Sequence, residues 1–126
     1  MKNKAVIYAR LSREEEEKID GNRDSRSIEN QVKILTDFAK KNNFEVVDVY
    51  IDDGYSGGNQ DRPDFQRMIQ DAKAKQFDIL LIKDISRLGR SFHQVGKLID
   101  YDFPSLKIRV IAPGDNYDSD TYDDDE

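Results

Sequence analysis

Residues 78–83 read Asp78-Ile79-Leu80-Leu81-Ile82-Lys83. Four consecutive apolar residues between charged ends, with no polar alternation, are the pattern of a short strand buried on both faces at the centre of a parallel sheet. Parallel neighbours need long crossover connections, and the flanking sequence supplies helices for them. Upstream, Pro63 suits the first position of a helix that carries Phe65, Met68, Ile69 and Ala72 on one face. Downstream, Phe92 to Tyr101 predicts a helix with Val95, Leu98 and Ile99 inward, weakened at Gly96 by up to about 1 kcal/mol relative to alanine. Further out, Lys107 to Ala112 predicts a strand ended by Pro113-Gly114, and Phe44 to Ile51 another ended by Asp52-Asp53-Gly54. Ile28, Val32, Leu35 and Ala39 recur at helical spacing, Arg13 to Ser27 reads as a long polar loop, and Lys4 to Ala9 predicts the first strand. Strand and helix alternate throughout. The expected architecture is α/β in three layers, a mainly parallel central sheet of four or five strands with helices on both faces.

The 126 residues suit one core, and the absence of cysteine removes disulfides and cysteine-based metal sites. The apolar run at the N-terminus, Ala5 to Ala9, is too short for a signal peptide or membrane span, so a soluble cytoplasmic protein without a membrane partner is expected. A net charge of −6 argues against a nucleic-acid surface when taken globally. Its distribution changes that reading. Residues 115–126 hold seven acids and no base, which leaves 20 bases against 19 acids elsewhere. The expected division is a catalytic domain over residues 1–114 and an acidic, flexible end over 115–126.

In an open parallel sheet, ligands bind beyond the carboxyl ends of the strands. Arg10 and Ser12 follow the first strand; Asp53, Ser56 and Arg62 follow the second; Asp84, Ser86, Arg87 and Arg90 follow the third. Each fragment alone has a plainer reading as a strand stop, a turn or a solvated helix start. Their joint placement at one rim, four arginines and three serines without a histidine, describes an oxyanion site rather than a histidine-based acyl-transfer site. A serine attacking a phosphodiester builds negative charge on the non-bridging oxygens. One fixed cation at 4 Å is worth about 4 kcal/mol at an effective dielectric near 20, so a few arginines could supply much of the acceleration without a metal or other cofactor. Arginine also offers a planar fork that stays protonated.

Three segments carry a family resemblance: Tyr8-Ala9-Arg10-Leu11-Ser12; Asp53-Gly54-Tyr55-Ser56-Gly57 with Arg62-Pro63 following; and Ser86-Arg87-Leu88-Gly89-Arg90. In order and spacing they resemble the successive motifs of the resolvase/invertase, or serine recombinase, family across roughly residues 4 to 114. The resemblance implies site-specific recombination of double-stranded DNA, with Ser12 as the nucleophile that forms a 5′-phosphoserine bond and frees a 3′ hydroxyl before strand exchange and religation. It implies that Arg10, Arg87 and Arg90 grip the scissile phosphate with support from Arg62, and that Gln31, Asp53, Ser56, Asp84 and Ser86 contact the substrate region. Ser86 stands where many small resolvases carry an aspartate, which leaves proton transfer to the leaving oxygen with Asp84, an arginine or water. The long loop from Arg13 to Ser27 and Asn116-Tyr117-Asp118-Ser119 are similar to the large serine recombinases of phages and mobile transposons. That likeness implies a homodimer and synaptic tetramer in the intact protein, DNA-binding parts beyond these 126 residues, and little activity from the 126 residues alone.

Two other readings compete. A metal-dependent nuclease or topoisomerase-like domain could use Asp52, Asp53 and Asp84 to hold Mg²⁺, although the arginines count against it. A phospho-signalling domain would place acids at the end of the first strand, where this chain has Arg10.

Overall fold

The computed structural model of the chain describes residues 3–11, 21–52, 62–89 and 91–122, with residues 21–26 and 122 described by backbone alone. In chain order the elements are β1 (Lys4–Arg10), α1 (Gly21–Lys41), β2 (Glu45–Asp52), α2 (Pro63–Lys73), β3 (Ile79–Leu81), a 3-10 turn (Ile85–Leu88), α3 (Phe92–Lys97), a π-helical turn (Leu98–Asp102), α4 (Phe103–Ser105), β4 (Arg109–Ala112), a second 3-10 turn (Pro113–Asp115), β5 (Tyr117–Asp118) and α5 (Ser119–Tyr122). The sheet runs β2-β1-β3-β4-β5, with β5 its antiparallel member and the other pairs parallel.

Alternation along the strands produces the layers. Ala5, Ile7, Ile79, Leu81 and Ile111 face Leu35 and Ala39 of α1, whereas Val6, Tyr8, Leu80, Ile82, Val110 and Ala112 face Phe65, Met68 and Ala72 of α2 together with Leu98 and Phe103. Both faces of β3 are thus covered, as its unbroken apolar run requires. β2 and β3 flank β1 on opposite sides, and the helices leaving β1 and β3 pack on opposite faces, so the strand order reverses at β1 and β3, the place beyond whose carboxyl ends open α/β sheets bind ligands.

Three differences from the sequence expectation have local causes. Helix α1 begins at Gly21, inside the stretch read as loop, because residues 21–27 contain no apolar side chain to reveal a helical period. The helical run from Phe92 continues to Ser105 through the π-helical turn, where the Phe103 N–H donates to Leu98 O five residues back, immediately before Pro104, which has no N–H to give.

The third difference concerns the acidic end. Residues 115–122, expected to be flexible, carry β5 and α5. Arg109 donates from Nε and Nη2 to both carboxylate oxygens of Asp118, at 3.0 and 2.7 Å, and the Val110 N–H donates to Ser119 Oγ at 2.9 Å. The forked hydrogen bond from Arg109, opposed by partial burial, holds the Asp118 carboxyl below the usual carboxylate range. A carboxyl depressed in the folded state contributes stability above its unfolded pKa of about 4 and loses it as pH falls through the lower folded value. Asp118→Asn is therefore expected to cost about 1 kcal/mol at pH 7, a modest figure because the pair is partly solvated. The difference from wild type in urea unfolding should close as the pH falls through the lowered pKa of the folded-state carboxyl.

Candidate active site

The described part of the site is built around the backbone of the turn that follows β3. Three consecutive carbonyls there each accept from an arginine: Ser86 O from Arg10 Nη2 at 2.7 Å, Arg87 O from Arg10 Nε at 2.9 Å, and Leu88 O from Arg62 Nη1 at 2.8 Å. The last carbonyls of a helical turn lack partners within it and carry partial negative charge, so cations are favoured there. Arg87 reciprocates, donating from Nη1 to Arg10 O at 2.8 Å. Each arginine thus holds the other's main chain. Both are buried, at 4% exposure, which fixes their guanidinium groups to the ends of β1 and β3.

Gln31 completes the end of β1. It is 1% exposed on α1, accepts from the Arg10 N–H through Oε1 at 3.3 Å and donates through Nε2 to Arg10 O at 3.1 Å. Arg10 Nη1 also donates to Leu11 O at 3.0 Å. Asp84 pairs through Oδ2 with Arg87 Nη2 at 3.3 Å and accepts from the Ser86 hydroxyl at 2.5 Å. The carboxylate at position 84 and the hydroxyl at 86 form one unit beside Arg87.

Arg62 enters from the other side in a left-handed conformation, φ 46° and ψ 69°, one residue before Pro63. An L residue pays roughly 1 kcal/mol or more to stay there. The Leu88 carbonyl and the Phe65 ring, whose centroid is 4.0 Å from the guanidinium carbon, hold the side chain in place.

Asp52 was read from sequence as a strand stop, or as a metal ligand under the rival reading, and it proves to be a buried junction. Its carboxylate accepts from the Tyr8 hydroxyl at 2.8 Å, from the Asp64 N–H at 3.0 Å and from the Phe65 N–H at 2.9 Å. The last two are donors of the first turn of α2, so Asp52 caps that helix from the neighbouring strand and ties its start, where Arg62 sits, to β1 and β2. Burial, reinforced by the Asp52 carboxylate, pushes the Tyr8 phenol well above its ordinary range and keeps it a donor. The sequence offers only a faint signal, an acid at the end of a strand with the next helix start, Pro63, eleven residues further on.

Among the expected site residues, Arg10, Gln31, Asp84, Ser86 and Arg87 are joined by direct contacts, and Arg62 meets them through Leu88. Ser12, Asp53, Ser56 and Arg90 lie outside the described residues. Among the described residues, no helix is long and apolar enough to cross a membrane.

Known proteins share this fold. The family model "Resolvase, N terminal domain" matches residues 5–125. The structure is similar to the N-terminal catalytic domain of TP901-1 integrase, with 33% identity, a TM-score of 0.76, and coverage of 93% of this chain and 82% of that one. It is also similar to a resolvase family site-specific recombinase from Streptococcus pneumoniae, with 27% identity, a TM-score of 0.78, and coverage of 94% and 77%. The C-terminal catalytic domain of ISC1926 TnpA, an IS607-like serine recombinase, shares the fold at 23% identity and a TM-score of 0.70, with coverage of 87% and 69%. With its mostly parallel five-stranded sheet and its arginine-bracketed strand ends, the chain belongs to the resolvase family, and it is a serine recombinase catalytic domain.

Proposed function

We propose that this domain cuts and rejoins double-stranded DNA at a specific site through a covalent bond to Ser12. The Ser12 hydroxyl gives up its proton as its oxygen attacks the scissile phosphorus, and the bond from phosphorus to the 3′ oxygen breaks. The electron pair leaves with that oxygen, which takes up a proton to become a free 3′ hydroxyl, while the 5′ phosphate stays on the serine. Attack by a 3′ hydroxyl after strand exchange reverses these changes. One phosphodiester replaces another at each step, so no nucleotide or metal is required to balance the reaction.

The observation that carries this reading is the reciprocal bracket between Arg10 and Arg87 at the carboxyl ends of β1 and β3. It fixes two permanent cations at the ends of β1 and β3, with Arg10 two residues ahead of Ser12 in the sequence, and fixed cations so placed favour the charge that builds on phosphoryl oxygens. Arg62 adds a further cation to this end of the sheet, and Arg90, Asp53 and Ser56 are assigned to the same site from their places in the sequence after β3 and β2. The unit formed by Asp84 and Ser86 lies close enough to Arg87 to relay a proton to the leaving oxygen. In the intact protein we place two such domains on each DNA site and four in the synaptic complex, since two duplexes must each be cut on both strands.

The metal-dependent alternative loses support from Asp52, whose two oxygens already accept three hydrogen bonds from fixed donors. The deciding experiment incubates the full-length protein with DNA carrying its recombination site in excess EDTA, denatures the mixture and maps the protein residue attached to DNA. Adduct formation should be undiminished and should map to Ser12. Loss of all cleavage in EDTA, or attachment at another residue, overturns the reading.

A further inference from the structure

The 3-10 turn Ile85–Leu88 begins at Asp84, yet Asp84 does not cap it. A residue at that position ordinarily uses its side chain to accept from the first free N–H groups of the turn. Here the Asp84 carboxylate is turned toward Ser86 and Arg87 instead. The capping acceptor comes from 30 residues further along: Asp115 Oδ2 accepts from the Ile85 N–H at 2.7 Å. Beside it, the Gly114 N–H donates to Lys83 O at 2.7 Å. Gly114 approaches so closely that a Cβ there would run into the Lys83 carbonyl oxygen, with the Lys83 carbonyl carbon and then Asp84 Cβ next nearest. The turn after β4 is therefore fastened along the segment from Lys83 to Ile85, immediately ahead of the residues whose carbonyls the arginines hold.

We propose that Asp115 and Gly114 are positioning residues for the reaction. By capping the arginine-bearing turn from outside, Asp115 releases the Asp84 carboxylate for Arg87 and Ser86, and Gly114 sets the distance at which this is possible. The inference rests on the reading of Arg87 as a phosphate-binding group. It assigns a task to the first acid of a segment whose composition reads as a solvated tail. The same segment continues into β5 and α5, locked by the fork between Arg109 and Asp118, so the seat of the arginine turn and the path of the chain away from the sheet are one connected piece.

The test compares Asp115→Ala, Asp115→Asn and Gly114→Ala in the full-length protein, on supercoiled DNA carrying its recombination site. DNA affinity and the rate of Ser12–DNA adduct formation at saturating protein are measured separately. Small displacements of a positioning shell cost up to about 100-fold in rate. Asp115→Ala and Gly114→Ala should slow adduct formation by about 10- to 100-fold, with DNA affinity unchanged or slightly tighter for the variant that loses a charge. Asp115→Asn loses the same charge but keeps an oxygen for the Ile85 N–H, and should stay within about threefold of wild type. If Asn and Ala behave alike, the effect is one of charge and the positioning role is overturned; so it is if neither Ala variant slows the saturated rate. Nuclear magnetic resonance of the Ile85 amide and the Arg87 Nε–H in the DNA-free protein separates this from the proposed function. Both signals should move in Asp115→Ala and remain near their wild-type positions in Asp115→Asn, whether or not Ser12 is the nucleophile. Unmoved signals in Asp115→Ala overturn the clamp itself.

Discussion

Ser12→Ala is expected to abolish the covalent protein–DNA adduct, a loss of at least about 10⁴-fold, while leaving DNA affinity and the thermal midpoint at their wild-type values. The substitution removes one oxygen and no charge. Arg10 and Leu11, at the end of β1, are buried, and their main-chain groups are held by the side chains of Gln31, Arg87 and Arg10. The other hydroxyls of the region answer differently. Ser86 donates to Asp84, so Ser86→Ala should slow the reaction by roughly fivefold, the worth of about one hydrogen bond, and the adduct should still form. Ser56→Ala, four residues past the end of β2 in the sequence, should likewise leave an adduct that maps to Ser12. Tyr8 offers no substitute nucleophile: it is fully buried, and its hydroxyl is committed to Asp52. An adduct that survives in Ser12→Ala, or that disappears equally in Ser56→Ala, would assign the nucleophile elsewhere.

The parts of this structure that were legible in the sequence are those written in residue type at short range. Ile79 to Ile82 could be placed in the sheet centre because four apolar neighbours leave no solvated face, and the start of α2 could be placed because Pro63 and the period of Phe65, Met68 and Ala72 agree. The rim bearing Arg10, Arg62 and Arg87 followed from strand order, since parallel strands deliver their carboxyl ends to one side. What those arginines hold was not legible. Their acceptors in the 86–88 turn are main-chain carbonyls, and every residue has one, so no side-chain pattern marks the three that are used. Asp115 escaped for a different reason. An acid in an acidic stretch looks solvated until the fold brings it to the Ile85 N–H, and a two-residue strand such as β5 is too short to show a period. The beginning of α1 was hidden because a helix turn without apolar residues has the composition of a loop.

Asp52→Ala should be the most destabilising single change among the polar residues around the site, by about 3 kcal/mol in urea unfolding. The substitution strands three donors at once: the Tyr8 hydroxyl and the N–H groups of Asp64 and Phe65. Leaving one buried donor unsatisfied costs about 1–3 kcal/mol, and loss of a helix cap alone costs about 1 kcal/mol. Water cannot readily replace the carboxylate, because Asp52 is 8% exposed and Tyr8 and Phe65 pack edge to face beside it with ring centroids 5.4 Å apart. Tyr8→Phe removes a donor rather than an acceptor, and should cost only about 1 kcal/mol. The double variant provides the sharper measurement. Once Tyr8 is phenylalanine, Asp52→Ala no longer orphans a phenol, so the two effects should sum to less than their separate costs by about 1 kcal/mol. Because Arg62 stands immediately before the turn that Asp52 caps, Asp52→Ala should also slow adduct formation at temperatures where the protein remains folded. Simple additivity, or a loss below about 1 kcal/mol for Asp52→Ala, would mean that the buried carboxylate does not organise this corner of the fold.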